Sequence, residues 1–501
     1  VKVLVTETFY VEQSMSVINE LKSLEKEASL VSSIASVLHW DQECYMPRKA
    51  GDYRGEQMAF LAKVQHEKST AKEIGILIEK LQTESSNLSP QDRRSLELSA
   101  RKYEREKKLP AELVSSLARE TAKAHGMWAE ARKKNDASLF LPQLKELVRL
   151  TKEKARCYDG NSGDLYNSLI SEFEWGMTCD KLDKLFAELK IAIPTLVAKI
   201  KKAGKFKNKI GDLVVSTADQ EALGRACLDL MGFDPKRSNL SVAHHPFCTT
   251  LGPDDFRITT RYDEKNFMFS LFGTAHEMGH SLYEQGLPRD FFGTPEGNAC
   301  SYGFHESQSL FWEKKVVSSK EFIQLLWPAM PKLRVSLDDF YHTVNLVENS
   351  LIRVDSDEVT YSLHIIIRYE IENLLMNEDL AVEDIREVWN KKYEEYLGMT
   401  PMTDAEGFLQ DVHWSGAAFG YFPSYAIGHL ISSQLEEKME HDLAPLQELI
   451  SSKRIFDITS WLRKNVHEKA SFYDPQALLQ NIVGSDLSTK PFLNYLERKF
   501  L

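Results

Sequence analysis

Phe267-Met268-Phe269-Ser270-Leu271-Phe272-Gly273-Thr274-Ala275-His276-Glu277-Met278-Gly279-His280-Ser281-Leu282-Tyr283 is the stretch on which the reading of this chain turns. It predicts one helix, ended by Gly286 and Pro288, because glycine suits the left-handed position after a helix and proline cannot continue the coil. Residues four apart share a helix face, so His276 and His280 point the same way and can offer two imidazole nitrogens to one tetrahedral ion. Glu277 lies beside them, off that axis, where its carboxylate can reach a water at the ion without binding the ion itself. Metal-assisted hydrolysis of a peptide bond requires that arrangement. The chain has fourteen histidines, so the pattern also has a plainer reading, two histidines hydrogen-bonded inside the core of an amphipathic helix.

A third protein ligand would favour the first reading, because catalytic zinc takes three ligands and leaves its fourth corner to water. The run Ser301-Tyr302-Gly303-Phe304-His305-Glu306-Ser307-Gln308-Ser309-Leu310-Phe311-Trp312 predicts a second helix that can supply it. Glu306 is the expected ligand and His305 its rival, since neighbouring helix positions diverge by about 100° and only one can face the ion. Just before the two-histidine helix, Phe256-Arg257-Ile258-Thr259-Thr260-Arg261-Tyr262 alternates and is rich in β-branched and aromatic residues, which predicts a strand. Leu240 to Thr249 is its expected partner, across a turn at Gly252-Pro253-Asp254. The edge of such a sheet can pair with an extended peptide, or the hairpin can simply cover the core.

The rest of the chain reads as helix. Apolar residues recur at helical spacing from Val17 to Leu38, and further helices are expected at about 52–66, 69–84, 90–107, 110–135 and through 138–203, with a turn at Asp159-Gly160-Asn161-Ser162-Gly163. Beyond the central region, helices are expected at about 337–351, 358–376, 380–397 and 423–439. Two stretches there stand out. Arg353 lies among apolar and acidic residues, where an ordinary ion pair with Asp355 or Asp357 is the simplest reading. Gly407 through Trp414, with Tyr421 and Tyr425 after it, is dense in hydrogen-bond donors and aromatics.

The chain has 501 residues, yet no linker, low-complexity tract or repeat divides it, so a single domain over 1–501, with two lobes at most, is expected. A net charge of −12 without a basic block argues against nucleic acid and against anionic membranes as partners. The six cysteines have no paired spacing, which points to a reducing, cytoplasmic compartment, and no segment is apolar enough to span a bilayer or serve as a secretory signal.

Taken together these pieces resemble the carboxypeptidase Taq family of metallocarboxypeptidases. The resemblance rests on six short motifs in order: His245-Pro246-Phe247, Asp255 to Thr259, His276 to His280, His305-Glu306-Ser307-Gln308, Ile352 to Asp357, and Gly407 to Trp414. Trp40-Asp41-Gln42-Glu43 with Met46-Pro47 is similar to the family's N-terminal region, and Ser356 departs from the alanine usual in the fifth motif. What the resemblance implies is a mainly α fold, a large saddle-like helical body with a deep groove, and the small β-sheet read from the residues would lie beside the metal helix. It implies a homodimer that removes single residues from peptide C-termini with broad preference and a dislike of proline. It further implies one divalent ion, zinc or cobalt, held by His276, His280 and Glu306, with Glu277 as the catalytic carboxylate.

His413, Tyr421 and Tyr425 are candidates to stabilise the oxyanion, because each can aim an N–H or O–H at developing charge. Arg353 suits a substrate's terminal carboxylate, which a guanidinium holds through two parallel hydrogen bonds. Arg257 is the second possibility, or it binds the Gln410-Asp411 segment and closes the groove, and His245 joins the substrate-binding group. The alternatives on the same framework are an oligoendopeptidase or an enzyme releasing dipeptides. From another class, the alternative is a helical binding protein without chemistry.

Overall fold

Helices account for most of the molecule because the apolar spacing noted above recurs along nearly the whole chain. The computed structural model describes residues 2–159, 163–211, 213–330, 335–378 and 380–501. The turn expected around residue 160 falls mainly on residues outside that range. The first helix is longer than its periodic core suggests, running Lys2–Cys44, and the next three are Gly51–Ser69, Lys72–Thr83 and Pro90–Lys107. Val17, Ile18, Leu21, Ile74, Ile78, Leu81, Leu96 and Tyr103 form a small separate core there. A second, much larger core runs from Ala124 to Phe500 and holds the two-histidine helix at its centre. No helix among the described residues is long and apolar enough to cross a membrane.

The sheet differs from the expected hairpin. It has three strands in the order β1-β3-β2, with β1 Ser238–Val242, β2 Cys248–Gly252 and β3 Asp255–Thr260. β3 is central, parallel to β1 and antiparallel to β2. The expected partner, Leu240 to Thr249, is therefore two strands, parted by a connection at His244-His245-Pro246 where proline cannot donate to a ladder. β3 packs directly on the two-histidine helix, and Ser33 of the first helix donates to the carbonyl of Leu251 in β2.

Two helix ends also differ from expectation. The helix expected at about 337–351 is Leu337–Val344, because the Asn345 side chain donates to the carbonyls of Tyr341 and Ser318 at 3.1 Å each and draws the chain away. The two-histidine helix is Phe267–Gly286, but Gly286 is its last helical residue and has no left-handed φ; Leu287 follows in extended conformation. Glycine is needed at 286 because a Cβ there would fall on the ring of His467. Gly286→Ala should therefore destabilise the protein by about 1–3 kcal/mol through overpacking, read as a lower urea midpoint.

Candidate metal centre

Two helices must approach closely for a carboxylate to reach both histidines, and missing side chains allow it. A Cβ on Gly279 would lie 2.7 Å from the Cα of Ser309, so the helix Tyr302–Leu310 can cross the two-histidine helix almost backbone to backbone. Behind it, a Cβ on Gly428 of the helix Pro423–Asp442 would lie 2.9 Å from Cγ of Glu306. Ser301 caps the ligand helix by accepting from Phe304 N at 3.1 Å. The buried Glu174 carboxylate ties it to the third helix, accepting from the backbone N–H of Gly303 and from Ser424 Oγ.

The result is a three-residue cluster. One ligand atom from each of His276, His280 and Glu306 lies within 4.8 Å of the others. Glu306 Oε1 is 3.7 Å from Nε2 of His276, and Oε2 is 3.5 Å from Nε2 of His280. The other ring nitrogens are already engaged: Nδ1 of His276 contacts Glu313 Oε2 at 2.9 Å, and Nδ1 of His280 contacts the carbonyl of His305 at 3.1 Å. A neutral imidazole that donates through Nδ1 presents its Nε2 lone pair, so both rings are set to bind an ion between them and Glu306. Two nitrogens and one oxygen, with a groove on the open side, fit a divalent transition metal with a free coordination position.

Without an ion, the same groups share protons among themselves. Burial would raise the Glu306 carboxyl, but His276 and His280 hold it down at about 2. Glu313 is likewise held at about 2, by Lys314 first and then His276. Burial depresses His276, yet Glu306 and Glu313 outweigh it and lift the ring to about 9. His280 falls to about 4 through burial and the neighbouring His305. Glu277 is 7% exposed, and burial pushes its carboxyl up to about 7, near the range a general base needs. His305, the rival ligand, serves the site from behind. Its ring stacks on that of His280 with centroids 4.4 Å apart, and its Nε2 meets Glu284, which in turn accepts from Thr250 of β2.

The cluster opens into a groove of about 980 Å³ that His245, Glu277, Arg353, His413 and Tyr425 also line. Arg353 is buried and does not pair with Asp355 or Asp357. Its Nε and Nη2 reach Asp411 Oδ1 at 2.8 Å, and its Nη1 donates to Tyr361 Oη at 2.8 Å. Asp357 instead accepts from the N–H groups of Val359 and Thr360, just ahead of the helix Tyr361–Asn377. Ser356, the departure from the family pattern, donates to the carbonyl of Arg353 at 2.7 Å and steadies that turn. Arg257 lies elsewhere: it is paired with Asp255, rests 4.0 Å over the ring of Trp40, and does not line the groove. The Gln410-Asp411 segment is taken by Arg353 and Arg368. Tyr421 stands behind Tyr425, edge-on to it at 5.2 Å, and lines a second cavity instead of the groove.

Sequence reasoning missed Glu313, Tyr361 and Arg368. Glu313 was hidden because Phe311–Val317 is a π-helix, whose wider turn breaks the 3.6-residue spacing used to place ligands. Tyr361 and Arg368 share one helix face with each other, a signal that gains meaning only once Arg353 is known to meet that helix.

Glu313→Gln should leave the fold intact but weaken metal binding by about 10–100-fold, measured by competition with a chelator, because the partner that orients His276 would lose its charge. The family described as Carboxypeptidase Taq (M32) metallopeptidase matches residues 20–500. "Thermostable carboxypeptidase 1" of Thermus thermophilus is 39% identical, the match covering 96% of this chain and 97% of that protein. "Carboxypeptidase 1" of Bacillus subtilis is 38% identical over the same shares. The crystal structure of the M32 carboxypeptidase from Deinococcus radiodurans superposes with a TM-score of 0.92 at 33% identity, covering 97% of this chain and 99% of that one. With its ligand cluster, buried carboxylate and groove, the chain belongs to the carboxypeptidase Taq (M32) family and is a metallocarboxypeptidase, a peptide hydrolase.

Proposed function

We propose that this enzyme releases single amino acids from the free C-termini of peptides, with broad preference and poor cleavage of terminal proline. It works as a cytoplasmic homodimer, each chain a single domain of two lobes at most, carrying one zinc or, alternatively, cobalt ion. The observation that carries the single-residue reading is a charge imbalance at the Arg353 end of the groove. Arg353 and Arg368 share one carboxylate: Asp411 Oδ1 takes Arg353 and Oδ2 takes Arg368 at 2.6 Å. Among the described residues Asp411 is the one carboxylate in ion-pair contact with either guanidinium, and burial pushes the Glu372 carboxyl near Arg368 up to about 7, so positive charge remains beside the groove. A buried charge is costly unless paired, and the terminal carboxylate of a peptide would pair it. That same charge, after burial, holds the nearby His245 and His413 below their ordinary range, His413 at about 3.

A divalent ion held by His276, His280 and Glu306 would supply Lewis acidity to a water and to the scissile carbonyl. Glu277 takes the proton of the attacking water and returns it to the leaving amine, acting as base and then acid. Tyr425 and neutral His413 donate to the oxyanion, with Tyr421 supporting Tyr425 from behind. Arg353 fixes the terminal carboxylate and so selects the last peptide bond, with His245 beside the chain. Six free cysteines fit a reducing compartment.

Mass spectrometry of digested peptides tests the reading: single-residue ladders from the C-terminus are expected, and internal fragments or dipeptides would overturn it in favour of an oligoendopeptidase or a dipeptide-releasing enzyme. Glu277→Gln should keep its metal and retain less than about a tenth of turnover. Arg353→Ala should raise KM for peptides with a free C-terminus, while an amidated peptide stays a poor substrate for both proteins.

A further inference from the structure

The groove is not the only opening onto the residues around Arg353. A second cavity of about 340 Å³ lies behind them, lined by Thr121, His125, Ser415, Gly416, Ala418 and Tyr421. Val412, His413 and Tyr425 line both cavities and form the wall between them. On the far side His125 and Gly416 are exposed, so the second cavity reaches solvent.

That wall is packed by aromatic rings, but the polar contact across it is long. His413 Nε2 and Tyr425 Oη are 3.4 Å apart, at the outer limit of a hydrogen bond, and His413 Nδ1 is buried without a partner among the described residues. His413 begins a short 3-10 turn, His413–Gly416, which Ala417 ends with a left-handed φ of 54°. Arg353, Arg368, Gln410 and Asp411 beside it are by contrast multiply bonded.

The proposed reaction leaves its product on the wrong side of the substrate. A released residue whose carboxylate sits on Arg353 would have the shortened peptide between it and the way it entered. We propose that the second cavity is the exit for that residue, reached by displacement of the His413–Tyr425 pair. Its lining holds no lysine, arginine or carboxylate, so a zwitterionic amino acid meets no opposite charge to retain it. Its volume lies at the small end of the roughly 300–1,000 Å³ usual for small-molecule sites. This inference rests on the single-residue reading of the function.

Thr121→Trp would fill the cavity from its outer side without touching the groove. In a rapid-quench experiment with excess peptide, the first turnover should match wild type and appear as a burst of one amino acid per site, followed by a steady state slowed by about tenfold or more as release becomes limiting. An unchanged steady state without a burst, with single-residue ladders still produced, would overturn the exit alone. A first turnover that slows with the size of the terminal side chain would make the cavity a side-chain pocket and overturn it too. Dipeptides or internal fragments from the wild type in the same quench would take down the underlying reading instead. Thr121→Cys, labelled with a bulky maleimide after folding and compared with wild type treated identically, gives the same readout if the tryptophan variant folds poorly.

Discussion

A charge taken out of water must be answered by an opposite one, and the groove is organised by where that requirement is left unmet. Around the two histidines, Glu277, Glu306 and Glu313 crowd together, answered by Lys314 and by the raised proton affinity of His276, a place where a dication can replace that proton. At the other end two guanidinium groups face one carboxylate, an excess of positive charge suited to a single anion. Between these two places on the groove wall, Lys499 meets Glu358 at 2.7 Å. These are the two places in the groove where charge is gathered.

What keeps these charges in place is a set of partners drawn from distant parts of the chain. His276 leans on a π-helix, His280 on a histidine that reaches back through Glu284 to the sheet, and Arg353 on a motif 58 residues further along. Each of these side chains is therefore held by a partner from another part of the chain. In a site that excludes water, such preorganisation accounts for much of the stabilisation of developing charge.

The sequence made the strongly periodic parts legible. The two-histidine helix and the helix from Ser301 follow from the 3.6-residue period, and that period also says that only one of His305 and Glu306 can face the histidine pair; in the structure Glu306 is the one beside it. The sheet was half legible, because antiparallel pairing leaves a turn signal whereas the parallel pairing of β1 with β3 leaves none. The partner of Arg353 could not be read at all. Spacing favoured Asp355 and Asp357, but the first is turned to solvent and the second accepts from the backbone ahead of a helix, and only folding brings Asp411 near. Glu313 escaped because a π turn shifts the register on which every helical inference depends.

Gly279, Gly303 and Gly428 touch neither ion nor peptide, yet each stands where a single added methyl would wedge helices apart. Intolerance to substitution in this enzyme therefore spreads beyond the reactive side chains to positions with no side chain at all. A survey scoring variants by activity alone would rank these featureless residues with the catalytic ones and would map, without any ligand present, the seams along which the scaffold was drawn together.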